Sequence, residues 1–210
     1  MQKKRVLCYG DSNTWAPDMD NGGRLNDSDR WTGRLAQHLG KDCTIIEEGL
    51  SGRTTVLDDP YEPFRNGRQY LTPCLLSHQP LDLVIIMLGT NDLKSRFNVT
   101  AEDIGRGINL LCNDIKITLG EALPILIVAP AALGDKVDPE DMFASGIQKS
   151  RALGLIFKQV AEQGKHAFFD ASNVITLNHH DGIHLSTQNH HALGDALAPL
   201  VRNLLGTNHE

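Results

Sequence analysis

Four short stretches of this 210-residue chain hold residue types that could carry acyl chemistry. Gly10-Asp11-Ser12-Asn13-Thr14 offers a serine, and Asp181-Gly182-Ile183-His184 offers an acid three residues before a histidine. A serine hydroxyl is a weak nucleophile until a base takes its proton, so Ser12 alone would be equally well explained as a helix cap. An Asp-x-x-His pair on one short loop changes that. Asp181 can accept the N–H of one ring nitrogen of His184 and leave the other nitrogen as an acceptor for a serine hydroxyl. Gly182 lets the loop turn tightly enough to put both side chains on one side. The remaining two stretches supply donors for a developing oxyanion: the side-chain amide of Asn91 in Gly89-Thr90-Asn91-Asp92, and the backbone N–H of Gly52 in Ser51-Gly52-Arg53-Thr54-Thr55. With the N–H of Ser12 they would make three donors around one reacting carbonyl. Each stretch has a plainer reading as a turn or cap, but four of them in order at strand ends point to a common site.

The elements that must position these residues are legible from periodicity. Short apolar runs alternate with amphipathic ones, the βαβ pattern of a parallel sheet covered on both faces. Arg5–Tyr9, Cys43–Glu47, Leu83–Leu88, Ile125–Val128 and His166–Phe169 read as five strands. The third is apolar at both parities, as a central strand must be. Helices are expected over Trp31–Leu39 with Gly40 as C-cap, from the capping box Thr100–Asp103 through Ile104, Ile108, Leu111 and Ile115, over Gln148–Gln163, and from about Ser186 with Leu193, Leu197, Leu200 and Leu204 as its stripe. Pro17–Asp29 and Ala131–Gly146 read as surface loops. No repeat or linker divides residues 1–210, which read as a single domain. Such sheets bind ligands beyond the carboxyl ends of their strands, and Ser12, Gly52 and Asn91 each follow a strand.

The bulk numbers exclude some partners. A net charge of −6 with 40% hydrophobic residues argues against a polyanion-binding surface, so neither nucleic acid nor membrane is expected as a partner. The apolar stretch after the basic start is too short for a secretory signal, and the four dispersed cysteines read as reduced and mostly buried; together these point to the cytoplasm as the expected location.

At this point the four blocks resemble those of the GDSL/SGNH hydrolase superfamily, which supply a Ser, a Gly, an Asn and a D-x-x-H, here Ser12, Gly52, Asn91 and Asp181/His184. The chain is most similar to the bacterial arylesterase/acyltransferase branch through Arg30-Trp31-Thr32-Gly33, residues 46–51, Arg53-Thr54-Thr55, Asp58-Asp59-Pro60 and residues 81–92. The resemblance fades between about 131 and 147. It implies a three-layer α/β/α sandwich of the SGNH-hydrolase, flavodoxin-like type. The activity it implies is serine esterase action on short-chain aryl or alkyl esters through an acyl-enzyme, with acyl transfer to alcohols as a competing outcome; the alternative is a carbohydrate O-deacetylase or thioesterase. It further implies Ser12, His184 and Asp181 as the triad, no cofactor, a small-molecule ester as substrate and a homo-oligomer. Two residues depart from the pattern. Asn13 stands where a Leu is usual, which should alter the lining of the site and not the triad, and Gly52 stands where the best-known acyltransferase of the branch resembles an Ala.

The weaker candidates are Asp11, Trp15 and Arg53 as substrate-binding residues, Trp15 as a wall of the pocket or as packing under the following loop, and Arg53 as either a loop salt-bridge residue or a guard at the entrance. Asp170, at a strand end, stays geometrically open as the acid. His179, His180, His184, His190 and His191 lack the accompanying acid or thiolate pattern of a metal sphere, so no metal is expected. A flavodoxin-like nucleotide module would need a glycine-rich phosphate loop that is missing, and an α/β-hydrolase would need G-x-S-x-G later in the chain.

Overall fold

In a computed structural model of the protein, which describes residues 3–207, five strands form one parallel sheet. The first two and last three residues of the expected domain lie outside the described part. The strands are β1 (Lys4–Gly10), β2 (Cys43–Gly49), β3 (Leu83–Met87), β4 (Ile125–Ala129) and β5 (Ala167–Asp170), ordered β2-β1-β3-β4-β5. Parallel register runs from Lys4 opposite Cys43 to Ala129 opposite Asp170. Side chains alternate faces along each strand. Leu7, Tyr9, Val84 and Ile86 therefore enter the core on one side, while Val6, Cys8, Leu83 and Ile85 enter the core on the other. Helices α3 (Gly67–His78), α4 (Ala101–Leu119) and α5 (Ile147–Gly164) close the first core. The second is closed by α2 (Trp31–Leu39) and α6 (Thr187–Leu205). A one-turn helix, α1 (Ser12–Trp15), follows β1 directly.

All five expected strands are present. Ile104, Ile108, Leu111 and Ile115 are buried on α4, whose capping box at Thr100 and Asp103 is formed in both directions. The buried face of α6 is rotated from the expected stripe: His190, Leu193, Leu197 and Val201 are buried, with Leu200 and Leu204 only partly so. Sequence periodicity misses α3. Its buried residues are few (Gly67, Leu71, Cys74, Leu75), exposed Tyr70 and Leu76 blur the stripe, and Pro73 sits inside it. The segment 131–146 is also not a plain surface loop, because Leu133, Val137 and Phe143 reach into the core. Among the described residues no helix is long and apolar enough to cross a membrane, and all four cysteines are free thiols.

The reversal of strand order falls between β1 and β3, the place where open α/β sheets leave a crevice at their carboxyl ends. Ser12 follows β1 and Asn91 follows β3, so both stand at that crevice.

Candidate active site

Asp11 caps α1 by accepting the N–H of Asn13 at 2.9 Å. That places Ser12 in the first turn, where backbone N–H groups lack partners within the helix. The Ser12 hydroxyl lies 3.1 Å from Nε2 of His184, 172 residues away in the chain. On the other side of the ring, Nδ1 of His184 lies 2.6 Å from Oδ2 of Asp181. The second carboxylate oxygen of Asp181 accepts the N–H groups of Ile183 and His184 at 2.8 and 2.9 Å. Burial opposes ionisation of Asp181, but the hydrogen bonds from the His184 ring and these two amides outweigh it and hold the carboxyl well below its ordinary range. A carboxylate so held fixes the proton on Nδ1 and presents a lone pair on Nε2 to the serine. Gly182, at φ +71°, makes the turn that allows this. Asp170 instead accepts the N–H of Ser172.

The loops that carry Asn91 and Gly52 are brought together by a second set of contacts. Asn91 is buried, and one N–H of its amide donates to the carbonyl of Arg53 at 3.0 Å, which brings the turn after β3 against the Gly52 loop. Gly52 has φ +81°. A side chain there would also approach Arg65 and Glu62 to 2.9 Å. Asp92 accepts the N–H of Thr55 at 3.0 Å and its hydroxyl, tying the same loop down from behind. Asp59, its side chain fully buried, pairs with Arg96 at 3.1 Å and anchors the 58–66 segment beside it. These contacts engage residues of the Arg-Thr-Thr and Asp-Asp-Pro stretches.

The structure places the weaker candidates as follows. Asp11 is 1% exposed, and burial pushes its carboxyl up to about 6 against the pull of the Asn13 amide, His184 and Arg53; its second oxygen has no hydrogen-bond partner. It shapes the serine turn rather than facing solvent. Arg53 is also buried, donating to the carbonyls of Gly10 and Glu48 and lying 4.1 Å from the ring centre of Tyr9. It braces β1 against the Gly52 loop as a strut, and borders a cavity of about 470 Å³ with Glu48, Phe64 and Tyr70. Trp15 is half-buried at the end of α1, with the Arg24 guanidinium 5.6 Å from its ring. The histidines go to separate partners: His180 faces Asp20, His191 faces Asp29, and buried His190 accepts the N–H of Trp31. Glu48, Cys74 and His78 converge elsewhere, with their ligand-type atoms within 4.8 Å and His78 bonded to Glu48 at 2.7 Å.

Sequence reasoning overlooks two contributors. Gly134 donates its N–H to the carbonyl of Gly182 at 2.8 Å, so the segment after β4 buttresses the Asp181–His184 turn. Asn13, expected only to alter the lining, hydrogen-bonds the backbone on both sides of His184. Neither signal is local in sequence.

A three-layer α/β/α sheet carrying a Ser-His-Asp relay at its switch point defines a serine hydrolase. The model of the GDSL-like lipase/acylhydrolase family matches residues 8–192, and the chain belongs to that family of ester-hydrolysing enzymes. Among solved structures it is similar to the aryl esterase of M. smegmatis, with 45% identity over 96% of this chain and 99% of that one and a TM-score of 0.90. It is likewise similar to a carbohydrate acetylesterase from Sinorhizobium meliloti, with 43% identity over 96% and 100% of the two chains and a TM-score of 0.91. A second carbohydrate acetylesterase family member from that organism aligns at 39% identity over 97% and 99%, with a TM-score of 0.92. Among curated proteins no match was found.

Proposed function

We propose that the enzyme hydrolyses short-chain aryl or alkyl esters through an acyl-enzyme on Ser12, with His184 as base, Asp181 as its orienting acid, and Ser12 N–H, Gly52 N–H and Asn91 as the oxyanion donors. The observation that carries this reading is the relay Ser12–His184–Asp181, at 3.1 and 2.6 Å. His184 takes the hydroxyl proton as Ser12 Oγ attacks the ester carbonyl, and the negative charge moves to the carbonyl oxygen. Collapse expels the alcohol, which receives the proton from His184. Water then repeats the sequence and releases the acid; an alcohol in its place gives acyl transfer. The similarity to an aryl esterase supports aryl esters, and the similarity to carbohydrate acetylesterases supports O-acetyl sugars as the second reading.

Ser12→Ala is expected to abolish turnover of p-nitrophenyl acetate and labelling by an organophosphonate; wild-type rates in that variant would sink the proposal. Acetylated sugars tested beside aryl acetates, with and without added alcohol, separate the substrate readings. A homo-oligomer is supported by Tyr61 and Phe64, 76% and 85% exposed on the segment flanking the Gly52 loop. Light scattering on the purified protein tests it, a monomer being the contrary result. Four unpaired cysteines support the cytoplasm as its place.

A further inference from the structure

We infer that Asn13 is a positioning residue that sets the approach of His184 to Ser12, by clipping the base-bearing segment to the nucleophile's own helical turn. The inference rests on the hydrolytic reading of Ser12. Asn13 is 5% exposed and immediately follows Ser12 in α1. Its Nδ2 donates to the carbonyl of Ile183 at 3.2 Å, and its Oδ1 accepts the N–H of Leu185 at 3.0 Å. The two bonds bracket His184. Asp181 already takes the N–H groups of Ile183 and His184. Two side chains therefore hold four of the five backbone groups from the N–H of Ile183 to the N–H of Leu185, which leaves the ring little freedom beyond its own torsions.

Asn13 is itself held. Its N–H donates to Asp11, and its carbonyl accepts the indole N–H of Trp31 at 3.2 Å. Ser12 and His184 are 172 residues apart, so nothing in the chain's connectivity sets their separation. Asn13 supplies that constraint one covalent link from the nucleophile. An apolar residue of similar size would fill the space, yet it would leave the carbonyl of Ile183 and the N–H of Leu185, both residues being buried, without these partners.

The test is steady-state and burst kinetics of Asn13→Ala and Asn13→Leu with p-nitrophenyl acetate, each normalised to sites titrated by an organophosphonate, with Tm recorded in parallel. A misplacement of about 1 Å can cost on the order of a hundredfold. We expect kcat per titrated site to fall about ten- to a hundredfold, KM to stay within about twofold, and the phosphonylation rate to fall with kcat. A residue that only supports the fold would lower Tm and the titratable fraction while leaving kcat per site alone. That outcome, per-site kcat within about twofold of the unaltered enzyme in both variants, overturns the inference. Asn13→Asp keeps the shape and the acceptor for Leu185 but loses the donor to Ile183. If the other two fail to fold, it should show an intermediate kcat, and a rate equal to the unaltered enzyme at every pH overturns the clip. Absence of labelling in the unaltered protein would be a different failure, that of the hydrolase reading itself.

Discussion

In the proposed mechanism Asn91 and Asp181 act on opposite ends of the charge that forms when Ser12 attacks, with Asn91 at the negative end. One of its two amide N–H bonds is committed to the carbonyl of Arg53, which fixes the group's orientation, and the other is available to an oxyanion. A preorganised donor of this kind stabilises the transition state, where negative charge is developing on the carbonyl oxygen, more than the neutral ester. Asn91→Ala is therefore expected to lower kcat by about a hundred- to a thousandfold with little change in KM, measured on p-nitrophenyl acetate. A tenfold rise in KM at constant kcat would assign Asn91 to ground-state binding instead. Asp181 meets the positive end, since the hydrogen bonds that keep it ionised also orient the imidazole that becomes cationic.

At the scale of elements, the site is made by segments that sequence patterning describes poorly. The stretch after β4 carries Gly134, whose N–H holds the carbonyl of Gly182, and Leu133, Val137 and Phe143 root that stretch in the core. A Cβ on Gly134 would lie 1.5 Å from the carbonyl oxygen of Leu177, so the backbone would have to move. Gly134→Ala should therefore lower Tm and, through the displaced Gly182 turn, lower kcat as well. Circular dichroism melts and kinetics on the same preparation check this; full activity in a folded variant would show that the buttress is dispensable. The four-residue helix α1 and the irregular α3 belong to the same class of elements. Their residues have little pattern of their own and take their conformation from what they pack against.

Across the whole molecule, titratable groups buried behind the site make stability depend on pH. Burial pushes the Asp92 carboxyl up to about 6, opposed by its bonds from Thr55 and reinforced by nearby Asp11. A carboxyl whose folded value lies above its unfolded one, near 3.9, binds more protons when folded between those two pH values. Its contribution is thus most favourable at low pH and declines as pH rises towards 6. Asp92→Asn lacks that decline. The Tm of the variant relative to the unaltered enzyme should therefore climb between pH 4 and pH 6 and level off above. A difference flat across that range would mean that Asp92 stays ionised throughout. Buried His190, held down to about 3 chiefly by burial and further by its neighbours His191 and Arg30, works in the opposite direction, which is why the comparison is made between variants and not on one melting curve.

The sequence by itself determined the sheet and the chemical groups. Leu83–Met87 is apolar on both faces and can only be a central strand, and the strand ends carry Ser12, Gly52 and Asn91 because such sheets expose their functional loops there. Asp181 and His184 were legible as a pair because three residues separate them and their bond is local. Only the tertiary structure decided what depends on distant contacts. It set the Ser12–His184 approach, made Arg53 a strut, turned Asn13 from a lining residue into a clip, and drew Gly134 under the catalytic turn. Helix α3 belongs with these, since a helix with a narrow buried face and an internal proline is specified more by the sheet it covers than by its own periodicity. Hydrophobic patterning records which face of an element is buried; which backbone groups meet there is fixed only when the sheet brings segments far apart in the chain together.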